Sequence, residues 1–227
     1  MLDLKVNMKE DFMMPVNSEL PGNIELPPYR IDGKYETEHQ LLFQTPLFQI
    51  KIDDVDNDEL IKNAYELQSL DEGKQASNNG GWHSDYYGMK DDNIRYFTPL
   101  IEKFGDILPV LPFNPSITEL HKLDIWYNIS KKYNFNSIHN HPRCDLSGVY
   151  YVKVPKGDCG DIAFRDPRPS VAYGNPFIVE RYHGGDLVGR KPEVGNMYIF
   201  PSSLDHSVKP NMTDDDRISI SFNLTVN

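Results

Sequence analysis

Residues 137–154 read SIHNHPRCDLSGVYYVKV, in which a His-x-His pair stands directly before a run of β-branched and aromatic residues. A short run of this composition, bounded by Asp and Pro, is typical of a β-strand. From Pro115 onward the chain carries several such segments, and their succession predicts a β-sandwich or jelly roll. The segments are LDIWYNI (123–129), DLSGVYYVKV (145–154), DIAFR (161–165), FIVERY (177–182), NMYIF (196–200) and RISISFNLTV (217–226).

The first half of the chain has a different organisation. Residues 1–40 are rich in Pro, Asn and Glu, and their four spaced prolines predict an extended N-terminal arm, since proline interrupts helices. Residues 41–227 are expected to form a single domain with a helical N-terminal part and a β core from about residue 117. Within the helical part, alternation of apolar residues predicts a strand at 47–52, and a second, weaker helix fits residues 95–108.

The clearest helix pattern lies at residues 53–70, DDVDNDELIKNAYELQSL. Asp56 or Asp58 can cap its N-terminus, and Gly73 follows its end as a stop signal. One apolar stripe predicts the buried face of this helix. Its members are Leu60, Ile61, Ala64, Tyr65 and Leu67.

Composition narrows the class of protein. The 227 residues carry a formal net charge of -11, which makes nucleic acid an unlikely partner because phosphate binding needs clustered Lys and Arg. No apolar run approaches the length of a membrane span, and Met1–Met14 lacks the apolar core of a signal peptide. Cys144 and Cys159 are therefore expected to be free thiols in a reducing cytoplasm, of a bacterium or a phage-infected host cell. Two cysteines this far apart also make a poor zinc site.

Three histidines form the first half of a candidate site. In an extended chain, residues two apart point to the same side, so His139 and His141 can bind one metal ion together. His206, which follows the strand NMYIF, would complete a facial set of three ligands. Such a set leaves three positions open on an octahedral metal, as in nonhaem iron oxygenases. Alone, a His-x-His pair is more often incidental, and the order of the three signals carries the prediction.

Arg217 and Ser219 form the second half of the candidate site. They share one face of the last strand, and a guanidinium with a neighbouring hydroxyl suits a carboxylate. Ile218, Ile220 and Phe222 would pack into the core on the opposite face. Taken by itself, Arg217 would be read as a solvated charge at a strand end.

The chain resembles the 2-oxoglutarate/iron(II) oxygenases of marine bacteria and their phages, a branch near the prolyl hydroxylases. The resemblance runs from about residue 44 to 223 and implies a double-stranded β-helix, iron(II), 2-oxoglutarate as cosubstrate, O₂, and oxidative decarboxylation to succinate. The stretches that carry it are TPLFQIKI (45–52), SNNGGWHSD (77–85), WYNISKKYNFNSIHNHPRCDLSGVYYVKVP (126–155), DIAFRDPRP (161–169), PEVGNMYIFPSSLDHSV (192–208) and DDDRISISFN (214–223).

Site residues follow from this resemblance by motif position. His139 and His206 match the two iron histidines, and Arg217 and Ser219 match the residues that hold the distal carboxylate of 2-oxoglutarate. Tyr151 falls where related hydroxylases place a tyrosine on the same carboxylate.

One departure concerns the third iron ligand. The wider superfamily has His-x-Asp, whereas this chain has His141 at the Asp position, so the ligand set would carry one negative charge fewer. Asp145 is an alternative carboxylate ligand. Some halogenating relatives have Gly or Ala at this position, and because His141 fills that space, halogenation is not favoured.

Three further residues have two interpretations each. Asn128 could contact 2-oxoglutarate or make a strand-edge hydrogen bond. Trp82 and His83, in a Gly-rich loop, could cover the site as a lid, although a loop Trp is as often a plug over the core.

The function that fits these residues is an iron(II)- and 2-oxoglutarate-dependent oxygenase, with hydroxylation as the default reaction. The primary substrate is not identified by the sequence, and a peptidyl substrate rests on analogy with the prolyl hydroxylases. Two other classes stay open: a three-histidine, cupin-like metal dioxygenase that does not use 2-oxoglutarate, and a noncatalytic jelly-roll binding module. The sequence does not indicate the oligomeric state.

Overall fold

The computed structural model describes residues 29–31, 35–37, 45–108, 120–168 and 187–226. The chain divides into two units, Met1–Gln44 and Thr45–Asn227. In the first unit, β1 (Tyr29–Ile31) pairs antiparallel with β2 (Tyr35–Thr37). The remainder of the expected arm and the expected strand at 177–182 lie outside the described residues.

Within its described residues, the second unit contains two antiparallel sheets and two α-helices. Its elements are β3 (Phe48–Lys51), α1 (Asn57–Leu70), β4 (Asn78–Asn79), β5 (Trp82–His83), a 3₁₀-helix (Asp92–Phe97), α2 (Thr98–Ile107), β6 (Leu120–Ser130), β7 (Phe135–His139), β8 (Leu146–Lys153), β9 (Ile162–Arg165), β10 (Leu187–Arg190), β11 (Asn196–Pro201), β12 (His206–Val208) and β13 (Arg217–Val226). The six-stranded major sheet has the order β3-β11-β8-β13-β6-β5, and the five-stranded minor sheet has the order β10-β9-β12-β7-β4. The mainly β fold with flanking helices is confirmed.

The larger hydrophobic core lies between the major sheet and the helices. Alternation along β13 buries Ile218, Ile220 and Phe222 completely on this side, as the sequence predicts. They pack with residues of both helices, including Leu60 of α1 and Phe104 of α2. The helices therefore cover one face of the major sheet, and its other face is left to meet the minor sheet.

A smaller hydrophobic cluster joins the two sheets. It combines residues of β8 and β11 in the major sheet with residues of β9 in the minor sheet. Its buried members are Val149, Tyr151, Ile162, Phe164, Tyr198, Phe200 and Leu204. Because this cluster occupies only part of the space between the sheets, polar side chains can line the rest.

Helix α1 shows how far its sequence pattern holds. Asp56 is the N-cap, since its carboxylate accepts a hydrogen bond from the backbone N–H of Glu59 at 2.9 Å. Three members of the predicted stripe are buried, whereas Ile61 is half-buried. The placement of Tyr65 in the stripe is wrong: its ring is exposed, because its hydroxyl reaches out to donate a hydrogen bond to Asp216 at 2.9 Å.

Two local predictions need correction. The second helix is divided into a 3₁₀-helix and α2, with Pro99 in the first turn of α2, where a missing N–H is tolerated. The His-x-His pair does not precede the strand directly: His139 ends β7, a strand that the sequence pattern missed, and His141 lies in the turn that follows. The pattern was weak because Phe135 and Ile138 of β7 are both exposed. None of the helices in the described part of the chain is long and apolar enough to cross a membrane.

Candidate active site

The three predicted histidines meet in the minor sheet. His139 ends β7 and His206 begins β12, and the antiparallel register places them directly opposite each other. The turn after β7 returns His141 to the same place, where its backbone N–H donates to the carbonyl of Ser202 at 2.9 Å. One nitrogen from each ring lies within 4.8 Å of the others. The three side chains therefore form a group of the size that one metal ion bridges.

Hydrogen bonds to carbonyl groups orient two of the rings. Nδ1 of His139 lies 2.7 Å from the carbonyl oxygen of Ser137, and Nδ1 of His206 lies 2.9 Å from that of Leu204. A carbonyl can only accept, so each Nδ1 carries the proton and each Nε2 keeps its lone pair. The hydroxyl of Ser77 lies 3.3 Å from Nε2 of His139. Both Nε2 atoms are thus in the form that a metal requires.

Burial keeps the histidines neutral. It lowers the pKa of His206 to about 3 and the pKa of His141 to about 4, and the neighbouring His139 adds to both shifts. Burial also lowers the pKa of His139 itself. Protonation would place like charges side by side in a poorly solvated place. At neutral pH the group therefore offers three uncharged nitrogen donors, which suits a divalent transition metal.

Asp145 is engaged elsewhere. It is exposed, and its carboxylate accepts a hydrogen bond from the backbone N–H of Val226 at 2.9 Å. Within the described residues, the group of potential metal ligands contains His139, His141 and His206 without a carboxylate. The geometry therefore favours His141 over Asp145 as a third ligand.

A cavity of about 680 Å³ extends from the histidine group between the two sheets. Its wall includes all three histidines and the polar side chains that project from the cavity face of β6, β8 and β13. In the register of the major sheet, Ser219 faces Tyr151 on one side and Asn128 on the other. Four residues predicted from the sequence therefore line this cavity together with the histidines: Arg217, Ser219, Tyr151 and Asn128.

Arg217 is a buried cation at the far end of the cavity. Only 2% of its surface is exposed, and its Nη1 donates to the carbonyl oxygens of Gly160, at 3.0 Å, and Cys159. Gly160 has a φ of +89°, and a Cβ built there would clash with the carbonyl oxygen of Lys209 and lie 2.8 Å from Nη1 of Arg217, so this position requires glycine. Among the described residues, no ion pair compensates the guanidinium charge. Burial lowers the pKa of Arg217, which indicates that the protein does not fully offset the cost of burying the guanidinium charge.

Two hydroxyl groups, of Tyr151 and Ser219, line the same cavity as this cation. Tyr151 is 2% exposed, and burial raises the pKa of its phenol, which therefore stays protonated and able to donate. Ser219 is also buried on the cavity wall. A buried charge without a counterion is costly, whereas a carboxylate at this place would pair with Arg217 and accept from both hydroxyls. The donor set thus fits one end of a dicarboxylic acid.

Asn128 has one of its two interpretations supported directly. Its Nδ2 donates to the hydroxyl of Ser221 at 3.1 Å, a cross-strand hydrogen bond to β13. The Asn128 side chain also lines the cavity, together with Ser219.

The structure separates the two residues expected to form a lid. Trp82 is half-buried against the larger core, and its indole N–H donates to the carbonyl of Asp71 at 2.9 Å. Trp82 packs over the larger core and is not among the residues that line the cavity. His83, the next residue, points the other way and lines the cavity as a buried part of the wall.

Sequence reasoning missed Trp126. This residue lines the cavity, and its ring centroid lies 5.7 Å from that of His141. The signal was present, since Trp126 stands two residues before Asn128 and alternates with the buried Ile125 and Tyr127. In a strand with this alternation, Trp126 must share the face of Asn128.

The chain was compared with known proteins by sequence and by structure. Residues 124–223 match the sequence model of a family described as "Putative 2OG-Fe(II) oxygenase". No curated protein matches the chain significantly in sequence.

Solved structures share the fold at low sequence identity. A prolyl-4-hydroxylase from Pseudomonas putida has a TM-score of 0.52 at 14% identity, over 82% of this chain and 95% of that one. A Trichoplax adhaerens prolyl hydroxylase, solved in complex with a hypoxia inducible factor peptide fragment, has a TM-score of 0.54 at 13% identity, over 79% and 83%. HygX from Streptomyces hygroscopicus, with nickel and 2-oxoglutarate bound, has a TM-score of 0.51 at 12% identity, over 80% and 83%.

These likenesses confirm the double-stranded β-helix, and the family match covers the segments that carry all three histidines, Arg217 and Ser219. The family uses iron(II), 2-oxoglutarate and O₂. Residues 124–223, which carry the candidate site, match a family of 2-oxoglutarate- and iron(II)-dependent oxygenases.

Proposed function

We propose that His139, His141 and His206 hold the iron, and that Arg217, Ser219 and Tyr151 bind the distal carboxylate of 2-oxoglutarate, with Asn128 beside them. The observation that carries this proposal is the combination within one cavity: three neutral imidazoles at one place and a buried, uncompensated guanidinium at another. Iron, when bound, supplies the oxidative chemistry with O₂ and 2-oxoglutarate.

The chain's own residues perform three tasks in this scheme. The imidazoles offer lone pairs at neutral pH because burial opposes their protonation. Arg217 fixes the cosubstrate from its far end, since its guanidinium is held by two backbone carbonyls before any ligand arrives. The Tyr151 hydroxyl stays protonated and donates to the same carboxylate.

We further propose that the reaction is a hydroxylation and that the primary substrate is peptidyl. Support for the second point comes from the shared fold with prolyl hydroxylases, one of which was solved with a peptide fragment bound. This support is an analogy of fold, so the substrate has to be tested directly.

The test is turnover of 2-oxoglutarate. Iron(II) protein is mixed with 2-oxoglutarate and O₂, and succinate is measured with and without candidate peptides. Succinate release that depends on iron and on Arg217 would support the proposal. A protein that consumes O₂ without forming succinate would instead be a three-histidine dioxygenase, which the third imidazole of His141 favours. A protein that binds neither iron nor 2-oxoglutarate would be a binding module.

A further inference from the structure

The cavity continues past the histidine group on the side away from Arg217. Along paired strands β6 and β13, Trp126 faces Ser221 and Asp124 faces Asn223, in successive rows leading away from Arg217. All of these side chains line the cavity. From Trp126 to Lys122, the last cavity-lining residue of β6, the strand spans about 13 Å. We call the part lined by Trp126, Asp124 and Asn223 the outer cleft.

Trp126 presents an unused hydrogen-bond donor to the outer cleft. Its ring is 4% exposed, stacks on His83 at 5.5 Å with an interplanar angle of 10°, and meets the edge of Tyr86 at 4.9 Å. Within the described part of the chain its indole N–H has no hydrogen-bond partner, yet it is not among the fully buried polar atoms that lack one. The donor therefore reaches the cavity, next to His141, where a ligand can accept from it.

The charges around Trp126 favour a neutral acceptor. Burial lowers the pKa of His83, so its ring is uncharged at neutral pH. Asp124 is paired with Lys122 at 2.6 Å. Arg143 lines the mouth but is exposed, where water and salt screen it. A carbonyl oxygen of an amide matches the indole N–H without bringing a charge that needs a partner.

The spacing of donors matches an extended chain. Asn223 uses its Oδ1 to accept from the hydroxyl of Ser147 at 2.7 Å, which orients its Nδ2 as a second donor one row from Trp126. Trp126 and Asn223 are diagonal neighbours on paired strands, about 7–8 Å apart, which is close to the repeat of about 6.7 Å between carbonyls on one side of an extended peptide. Tyr86 and Ile138, which are 40% and 44% exposed, add apolar surface to the cavity lining.

We infer that the outer cleft binds an extended peptide segment, with the Trp126 indole N–H donating to a backbone carbonyl beside the residue that is oxidised. Asn223 donates to the carbonyl two residues along. This inference rests on the proposed function and deepens it, because it names the residues that present the substrate to the iron site. Trp126 is a positioning residue: it sets which C–H bond lies nearest to the metal, and takes no part in the chemistry.

The experiment uses the iron(II) and 2-oxoglutarate complex without O₂. The probes are twenty pools of heptapeptides, acetylated and amidated, each with one fixed central residue and mixed flanks, and the twenty N-acetyl amino acids with free carboxylates. Calorimetry measures binding to wild type, Trp126→Phe and Trp82→Phe. Trp126→Phe keeps an aromatic ring at this position and removes the N–H donor. Trp82→Phe is the matched control because Trp82 is outside the cavity.

At least one pool should bind wild type and Trp82→Phe equally, and Trp126→Phe about three- to tenfold more weakly. With O₂, Trp126→Phe should also form more succinate per peptide oxidised, because a misplaced peptide uncouples 2-oxoglutarate decarboxylation from peptide oxidation. A merely structural role of Trp126 would leave this ratio unchanged.

The inference is overturned if no peptide pool binds to a protein that binds 2-oxoglutarate normally, if Trp126→Phe binds the pools as tightly as wild type does, or if only the amino acids with free carboxylates bind. Loss of 2-oxoglutarate binding in wild type would refute the proposed function instead.

Discussion

Replacing Arg217 with alanine tests the cosubstrate assignment most directly. The guanidinium is 2% exposed and has no ion pair among the described residues, so a bound carboxylate would be its main compensation. In Arg217→Ala the carboxylate would enter a desolvated place without a cation, at a cost of about 2–5 kcal/mol. That energy corresponds to about one and a half to three and a half decades in Kd for 2-oxoglutarate. Arg217→Lys should recover only part, since an ammonium lacks the planar fork.

The assay is an anaerobic titration of the iron(II) protein with 2-oxoglutarate, followed by the charge-transfer absorbance. Arg95→Ala is the control, because this exposed arginine on the 3₁₀-helix does not line the cavity. Iron affinity should be unchanged in all three variants. Equal 2-oxoglutarate affinity in wild type and Arg217→Ala would refute the reasoning and favour the three-histidine dioxygenase.

Four other predictions follow from the same geometry. His206→Ala should reduce iron affinity steeply by equilibrium dialysis, whereas His121→Ala, an exposed histidine of β6, should not. His141→Asp should keep one iron per chain in the same assay, and loss of iron would show that Asp cannot occupy this ligand position. Metal-free protein should lose stability in urea as the pH falls from about 6.5 to about 4, because unfolded histidines take up protons near 6.5 whereas folded His206 and His141 do so only near 3 and 4. Each of the two histidines contributes up to about 1.4 kcal/mol per pH unit to the slope of the unfolding free energy. An unfolding free energy that does not change over this pH range would contradict the burial argument. Gly160→Ala should weaken 2-oxoglutarate binding more than Gly157→Ala, although both glycines have positive φ, because a Cβ at Gly160 would displace the Lys209 backbone and Arg217, whereas a Cβ at Gly157 would meet only Thr213, at 3.4 Å.

The part of the site that the sequence placed on a definite face of a sheet lies on strands with strong alternation. On β13, Arg217 and Ser219 alternate with Ile218 and Ile220. Because successive side chains of a strand point to opposite faces, this alternation assigns the two polar residues to one face and the two isoleucines to the other before the sheet is known. β6 has the same property, since Asn128 and Trp126 alternate with the buried Ile125, Tyr127 and Ile129, so alternation could have placed Trp126 on the cavity face.

The parts that could not be predicted depend on tertiary contacts. β7 has exposed apolar residues and little alternation, so its pairing with β12, which sets His139 opposite His206, appears only in the assembled sheet. Trp82 and His83 are neighbours in one loop, yet the two faces of β5 send one to the core and the other to the cavity. Gly160 is one of several glycines in the sequence, and its role comes from the approach of Arg217, which is 57 residues away.

In the proposed site, a third imidazole would change the net charge once iron and 2-oxoglutarate are bound, and this would link the affinities for the two. Iron(II) brings two positive charges, 2-oxoglutarate two negative ones and Arg217 one positive charge, so three neutral histidines leave a net charge of about +1, whereas a carboxylate in place of His141 would leave it near zero. A neutral ligand attracts the metal less strongly than a carboxylate does, but it also leaves more positive charge on the metal for the cosubstrate. His141→Asp should therefore shift the two affinities in opposite directions, with tighter iron and weaker 2-oxoglutarate. A simple loss of geometry would weaken both, so the two titrations on one variant separate an electrostatic role of His141 from a purely structural one.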